Sequence, residues 1–194
     1  MILEGVLVDL VPFSKVYQER MVGWRNGALR DWWPDADGLR TRAQHHRREE
    51  QRQTESGGYV RFGIQTKAGQ PIGIYVLASI NPYHRTAEIG AGIGDPAYWG
   101  GGYGSDAMLL LVDYAFRWLD LRRLHLKTMG HNLRAQRQVE KCGFTYEACC
   151  RQQMFKDGQF RDQVYYGLMY DEWPGRETMV ERLGLHEKTQ KATE

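Results

Sequence analysis

Hydrophobic and polar positions alternate with a period of two in several stretches of this chain and switch to a helical period between them. Residues 2–11 (ILEGVLVDLV) alternate as a first strand. Ser14 stands where it can cap a helix over 15–25, and Asn26-Gly27 ends it. Trp32-Trp33-Pro34-Asp35 reads as a loop, and 39–55 as a very polar helix rich in arginine and glutamate. Residues 59–66 and 72–80 are strand-like runs joined by Lys67-Ala68-Gly69-Gln70, a hairpin signal. Asn81-Pro82 breaks the pattern, 86–94 makes another strand, glycines 100–104 follow, and 105–119 is an apolar helix. Residues 124–128 then form a short strand, and Asn132 opens a helix to Lys141 that Gly143 stops. Residues 144–155 and 160–170 are two long strands around Lys156-Asp157-Gly158-Gln159. The order of strands, helix, strand, helix and strands predicts a mixed α/β fold, a central sheet with helices on both faces. One domain over 1–173 is expected, with 174–194 as a tail holding a short helix and a frayed, polar end.

Composition narrows the function. A chain of 194 residues fits one domain that buries a sizeable core without disulfides or metals. Twenty-six basic against 24 acidic residues give a net charge of +2, which argues against a nucleic-acid surface or a polybasic membrane anchor. The longest apolar run, 107–112, is far short of the ~20 residues of a membrane span. No secretory signal pattern opens the chain, and Cys142, Cys149 and Cys150 lack metal-ligand spacing. The expectation is a cytoplasmic protein with reduced thiols and no metal. His45-His46 are adjacent, so they share no helix face and form no chelate. The arginines and glutamates of 39–55 read as a solvated face with local ion pairs.

Glycine changes the picture most. Residues 57–104 hold 12 of the 22 glycines, and seven of those fall between 90 and 104. The segment 93–107, IGDPAYWGGGYGSDA, joins a strand to a helix, where free N–H groups and the dipole attract anions. Glycines there let backbone approach a phosphate without obstruction by Cβ. A P-loop is excluded because the segment has no lysine. A dinucleotide fingerprint fits only in its looser form, as GYGSDA from Gly102, and the acidic group it needs ~20 residues on is replaced by Arg122-Arg123. A third pattern, [Q/R]-x-x-G-x-[G/A], is met by Gly102-Tyr103-Gly104, with Trp99 in its leading position.

That third pattern is the acetyl-CoA turn of the GNAT N-acetyltransferases. Residues 132–144, NLRAQRQVEKCGF, resemble the second signature of that superfamily, N-x-x-A-x-x-x-x-E-K-x-G-F, at the expected distance. Arg161-Asp162, Tyr165 and Asp171-Glu172-Trp173 resemble the ending of its RimJ/RimL branch, and the likeness covers residues 5–173. It implies a mostly antiparallel twisted sheet, splayed between the family's fourth and fifth strands, here 86–94 and 123–129. It implies acetyl-CoA as cosubstrate, its pyrophosphate on the turn at Trp99, Gly100, Gly101, Gly102, Tyr103, Gly104 and Ser105. Asn132 matches the asparagine on the pantetheine side, a role compatible with a helix N-cap. Ile93 or Gly94 is expected to polarise the thioester carbonyl through its backbone.

The implied reaction is attack by a primary amine of a peptide N-terminus or small molecule. Glu88, at the position of a catalytic glutamate in histone-acetylating relatives, is the expected base. Period-2 alternation places it with Gly90, Gly92 and Gly94 on one strand face; a cross-strand ion pair is the other reading. Three positions depart from the pattern: Val139 replaces a frequent tyrosine acid, Ala135 a serine, and Gly101 a basic residue. Tyr103, Tyr165 and Tyr166 are alternative acids. Trp32, Trp33, Asp35 and Tyr83 are candidates for holding the acceptor through cation–π contact and ion pairing. A CoA-binding regulatory or interaction protein without turnover is the alternative function. The branch also implies a possible homodimer.

Overall fold

The predicted alternation becomes eight strands of one sheet. A computed structural model describes residues 2–27, 29, 41–44, 47 and 58–191. In chain order these form β1 (Leu3–Glu4), β2 (Val8–Pro12), α1 (Lys15–Asn26), β3 (Gly58–Thr66), β4 (Pro71–Asn81) and β5 (Thr86–Ile93). Then come α2 (Tyr103–Arg117), β6 (Arg123–Met129), α3 (Leu133–Lys141), β7 (Thr145–Lys156), β8 (Gln159–Met169), α4 (Arg176–Arg182) and α5 (Leu185–Lys191). Most of the polar segment 39–55 lies outside the described residues.

The strand order is β1-β2-β3-β4-β5-β6-β8-β7. Neighbours are antiparallel except β5 and β6, which run parallel because α2 crosses between them. Their pairing is confined to Thr86↔Arg123, Ala87↔Leu124 and Glu88↔His125. Beyond that register β5 stays bonded to β4, through Gly73↔Ile93, and β6 to β8, through Met129↔Gln163. The sheet therefore parts in its middle, as the resemblance implied.

Each face carries its own apolar cluster. On one side Ile64, Leu77, Ala87, Ile89, Leu124 and Leu126 pack against α2 and against Val139 of α3. On the other, Val11, Ile74 and Val76 meet Tyr17 and Met21 of α1. α2 buries ten of its residues, including Leu109, Leu111 and Val112, so it is a core helix rather than a surface one.

Two expectations change. The stretch 2–11 is two strands, because the chain turns at Gly5, whose N–H donates to the Val8 carbonyl at 2.9 Å. Asp106, fully buried in the first turn of α2, accepts the N–H groups of Leu7 and Val8 at 2.6 and 3.1 Å. The segment after Trp173 holds two helices, α4 and α5, where one short helix was expected. Met179, Val180 and Leu185 join the main core, and Arg176 reaches Asp106 at 3.5 Å. The start of α2 is thereby pinned by both ends of the chain.

Candidate active site

Where β5 and β6 part, backbone groups are left over. The Gly94 N–H donates to the Ile72 carbonyl at 2.8 Å, which fixes the phase of the β4–β5 ladder. Hydrogen bonding alternates along an antiparallel strand, so the peptide groups of Ile93 and Ala91 point the other way, toward the gap. The Ile93 carbonyl accepts the Trp99 indole N–H at 2.8 Å, which folds Trp99 back against the end of β5. Of the two expected carbonyl-polarising residues, Gly94 has its N–H committed inside the sheet. It does not lie on an open face either. A Cβ there would fall 2.1 Å from the Trp24 ring, so the indole of α1 occupies the side-chain space of Gly94. Gly90 remains a bare position on that face beside Glu88, where a Cβ would meet Val76 at an ordinary 3.6 Å.

The glycine turn follows a short 3-10 turn, Pro96–Tyr98, capped by the Asp95 carboxylate on the Ala97 N–H. Gly100 and Gly102 have φ of +90° and +96°, a region that side chains rarely adopt. Gly102 is the N-cap of α2 and offers no side chain to it. The first N–H groups of a helix have no partner within it, so those of Tyr103, Gly104 and Ser105 are left for another acceptor, next to exposed Gly100 and Gly101. This is a cradle suited to an anion, and the fit to a pyrophosphate rests on it. Tyr103 stands edge-on to Tyr98, with ring centroids 5.1 Å apart.

Behind the turn, buried Tyr75 of β4 donates its hydroxyl proton to the Gly104 carbonyl at 2.9 Å and accepts from Gln138 Nε2 at 3.2 Å. That amide fills the space a side chain at Gly104 would need. Burial raises the Tyr75 hydroxyl far above its ordinary range. Burial likewise pushes the Cys142 thiol up to about 12, against a hydrogen bond with Ser105. Both groups stay protonated and serve as struts. Nothing in the local sequence around Tyr75 signals this, since its partners lie 29 and 63 residues away.

Glu88 occupies the last paired position before the gap, on the sheet face opposite the main core. Lys127 Nζ lies 3.0 Å from its Oε1, the cross-strand ion pair that was the competing reading. His125 Nε2 lies 4.0 Å from its Oε2. Burial, with Arg123 and Lys127 nearby, lowers the His125 pKa, while Glu88 and Glu147 partly oppose this. The imidazole is therefore neutral at neutral pH. Arg123 is held aside by a two-pronged pair with Glu147, both contacts at 2.6 Å. Sequence reading missed His125 and Lys127. Their signal was the alternation of Arg123, His125 and Lys127 against buried Leu124 and Leu126, unusable until register set them opposite Glu88.

Asn132 is buried and caps α3, its Oδ1 accepting the Ala135 N–H at 3.2 Å and its Nδ2 reaching Thr128 at 3.4 Å. Val139 is core. Among the tyrosines, Tyr166 donates to Glu140 at 2.9 Å and burial raises it to about 12, while Tyr165 donates to Gln163 at 2.8 Å. Tyr83 is 88% exposed and stacks edge-on with His84. Trp32, Trp33 and Asp35 lie outside the described residues. Among the described residues no helix is long and apolar enough to cross a membrane, and no cluster of three His, Cys, Asp or Glu side chains could hold a metal.

A sheet parted between two parallel strands, with an anion cradle at the helix that joins them, defines a class of α/β proteins built to seat a long phosphate-bearing ligand. The chain belongs to one family of that class: the acetyltransferase (GNAT) domain matches residues 7–145. It is 30% identical over 102 residues to the spermidine N(1)-acetyltransferase of Vibrio cholerae, covering 53% of this chain and 58% of that protein. It is 28% identical over 114 residues to the ribosomal-protein-serine acetyltransferase of Escherichia coli, covering 59% of this chain and 63% of that protein. These matches thus span about three-fifths of each relative's length. The fold resembles Mycobacterium smegmatis RimJ in complex with CoA-disulfide, with a TM-score of 0.79 at 19% identity over 95% of this chain and 93% of that one. The RimJ/RimL-like branch is consistent with both kinds of relative.

Proposed function

We propose that the protein is an acetyl-CoA-dependent N-acetyltransferase that acts on a primary amine by direct transfer. The observation that carries this reading is the parting of β5 from β6 directly after Glu88 and His125, with the Gly100–Gly104 cradle at the far end of β5. Relatives named for spermidine and for ribosomal-protein acetylation support an amine acceptor, either a polyamine-like small molecule or a peptide N-terminus.

Acetyl-CoA supplies an acetyl group activated as a thioester. The N–H groups left over at the start of α2 hold its phosphates, and the free edge of β5 takes its pantetheine amides as an added strand would be taken. The Ile93 N–H faces the gap and stabilises negative charge on the thioester oxygen; Gly94 cannot, being bonded to Ile72. An alkylamine has a reference pKa near ~10.4 and must shed a proton to attack. Glu88 receives it. Lys127 holds that carboxylate in position through their 3.0 Å ion pair, and neutral His125 stands 4.0 Å away as a second acceptor. Val139 has no proton to give the departing thiolate; the second proton that the nitrogen sheds as the amide forms is the one that balances the thiolate's charge.

Calorimetry with acetyl-CoA, followed by thiol release in the presence of about a dozen diverse amines, tests this reading. Binding with amine-dependent release is expected. Absence of binding overturns it, and binding without release from any amine favours a CoA-binding regulatory protein instead.

A further inference from the structure

The cradle has a charge problem that its own segment does not solve. Between Ile93 and Ala107 the only charged side chains are Asp95 and Asp106, both acidic. The positions where the resemblance expects cations hold Trp99 and Gly101. Amide groups and a helix dipole stabilise an anion only modestly in exposed settings. A ligand bearing several phosphate charges therefore needs cations from elsewhere in the chain.

Two cations arrive there from distant sequence. Arg134, in the first turn of α3, lays its guanidinium over the Trp99 ring, Cζ 3.6 Å from the centroid. A guanidinium can stack through its face and also bind an oxyanion through the N–H groups of its edge. Lys188 of α5 runs its stem along Gly102: a Cβ at Gly102 would lie 3.2 Å from Lys188 Cδ and 3.3 Å from Leu185 Cδ2. The ammonium is two bonds beyond that Cδ, within reach of anything seated on the cradle. Leu185, one turn earlier, is fully buried in the main core, and Arg176 of α4 is tied to Asp106. α5 is thus anchored on the cradle rather than resting there by chance.

We propose that Arg134 and Lys188 form a cationic clamp for the phosphates of the CoA ligand, so that the C-terminal helix is part of the cosubstrate site. This rests on the acetyltransferase reading, and its logic is replacement. The turn carries no cations of its own, and two helices remote in sequence deliver them to the same place. Trp99 becomes the platform that positions Arg134. Lys188 confers preference for phosphate-bearing acyl carriers over the bare acyl-pantetheine arm.

The test is calorimetric and needs no turnover. Acetyl-CoA and acetyl-pantetheine, which carries no phosphate, are titrated into the full chain and into the K188A, K188R and R134M variants at several salt concentrations. K188A and R134M are expected each to weaken acetyl-CoA binding about tenfold, the scale of one charge-assisted contact. The salt dependence of affinity should become shallower, and acetyl-pantetheine binding should not change. K188R should retain most of the affinity. If K188A binds acetyl-CoA within twofold of the parent with the same salt dependence, the clamp is overturned and the acetyltransferase reading stands. If the parent chain itself fails to bind acetyl-CoA, both fall.

Discussion

The two ends of β5 solve their tasks by opposite means. At the Ile93 end the site is backbone: a turned-out peptide, two glycines at positive φ and the bare start of a helix. At the Glu88 end it is side chains: a carboxylate, an ammonium and an imidazole brought together by strand register. Backbone built into a helix start is fixed by the surrounding fold and changes little with pH. Side chains on a half-covered sheet face depend on each other's charge, and each can be exchanged without rebuilding the strand. The first arrangement suits holding a large constant ligand. The second suits chemistry and the choice of acceptor.

The strongest way to break this contrast is to put a side chain into the backbone end. In the Gly102→Val variant a branched Cβ would meet Leu7, Lys188 and Leu185 at 3.1–3.3 Å in a conformation that valine strongly disfavours. Acetyl-CoA affinity should fall at least about a hundredfold, with a stability loss of about 1–3 kcal/mol from the strained backbone. Calorimetry and thermal melting separate the two effects. A variant that melts as the parent does and binds as tightly would mean the cradle is not where the phosphates sit.

At the side-chain end the expected loss is in rate and not in binding. Glu88→Gln keeps the shape but removes the carboxylate base, leaving only His125 nearby to accept a proton, and leaves Lys127 without its carboxylate partner. Turnover should drop by about a hundredfold, the lower end of what a positioned general base contributes. The acetyl-CoA dissociation constant should stay within about twofold, because the phosphate cradle lies at the far end of the strand. Steady-state kinetics with the best amine of the panel, alongside calorimetry, measures both. An unchanged pH–rate profile in this variant would remove Glu88 from the role of base.

The same contrast explains what could be read from the chain alone. The turn was legible because its whole apparatus is local: glycines at fixed spacing, a strand before them, a helix after. So were the β3–β4 hairpin at Lys67–Gln70 and the Asn132 cap, each made by residues within a few positions of one another. The partners of Glu88 were not legible. Lys127 is 39 residues away and meets it only because β6 pairs in parallel at Glu88↔His125. Gly94 looked bare because alternation says nothing about Trp24, which arrives from α1 to fill its place. The tail looked polar because Met179, Val180 and Leu185 are sparse, yet three buried side chains suffice to dock two short helices. Local apparatus is written in spacing, whereas apparatus assembled across the sheet is written in register, which a single chain does not display.

The smallest expected effect concerns His125, and it sharpens the contrast by its pH dependence. Burial lowers its pKa below the ordinary 6.5, against the pull of Glu88 and Glu147 and with the help of Arg123 and Lys127. The unfolded chain therefore takes up a proton near pH 6.5 that the folded protein resists. Folded stability conferred by the neutral ring is complete above that value and is lost as pH falls toward the depressed folded pKa. Replacing His125 with Gln should flatten the fall in melting temperature between neutral and mildly acidic pH, with little change at pH 8. The acid limb of the rate profile should shift in the same variant, since a protonated imidazole beside Glu88 competes with the amine for that carboxylate. Acetyl-CoA binding should show neither change, because His125 meets β5 at Glu88, at the opposite end of the strand from the cradle. If binding affinity follows the His125 titration as closely as rate does, the two ends of β5 are coupled and the division between a backbone end and a side-chain end fails.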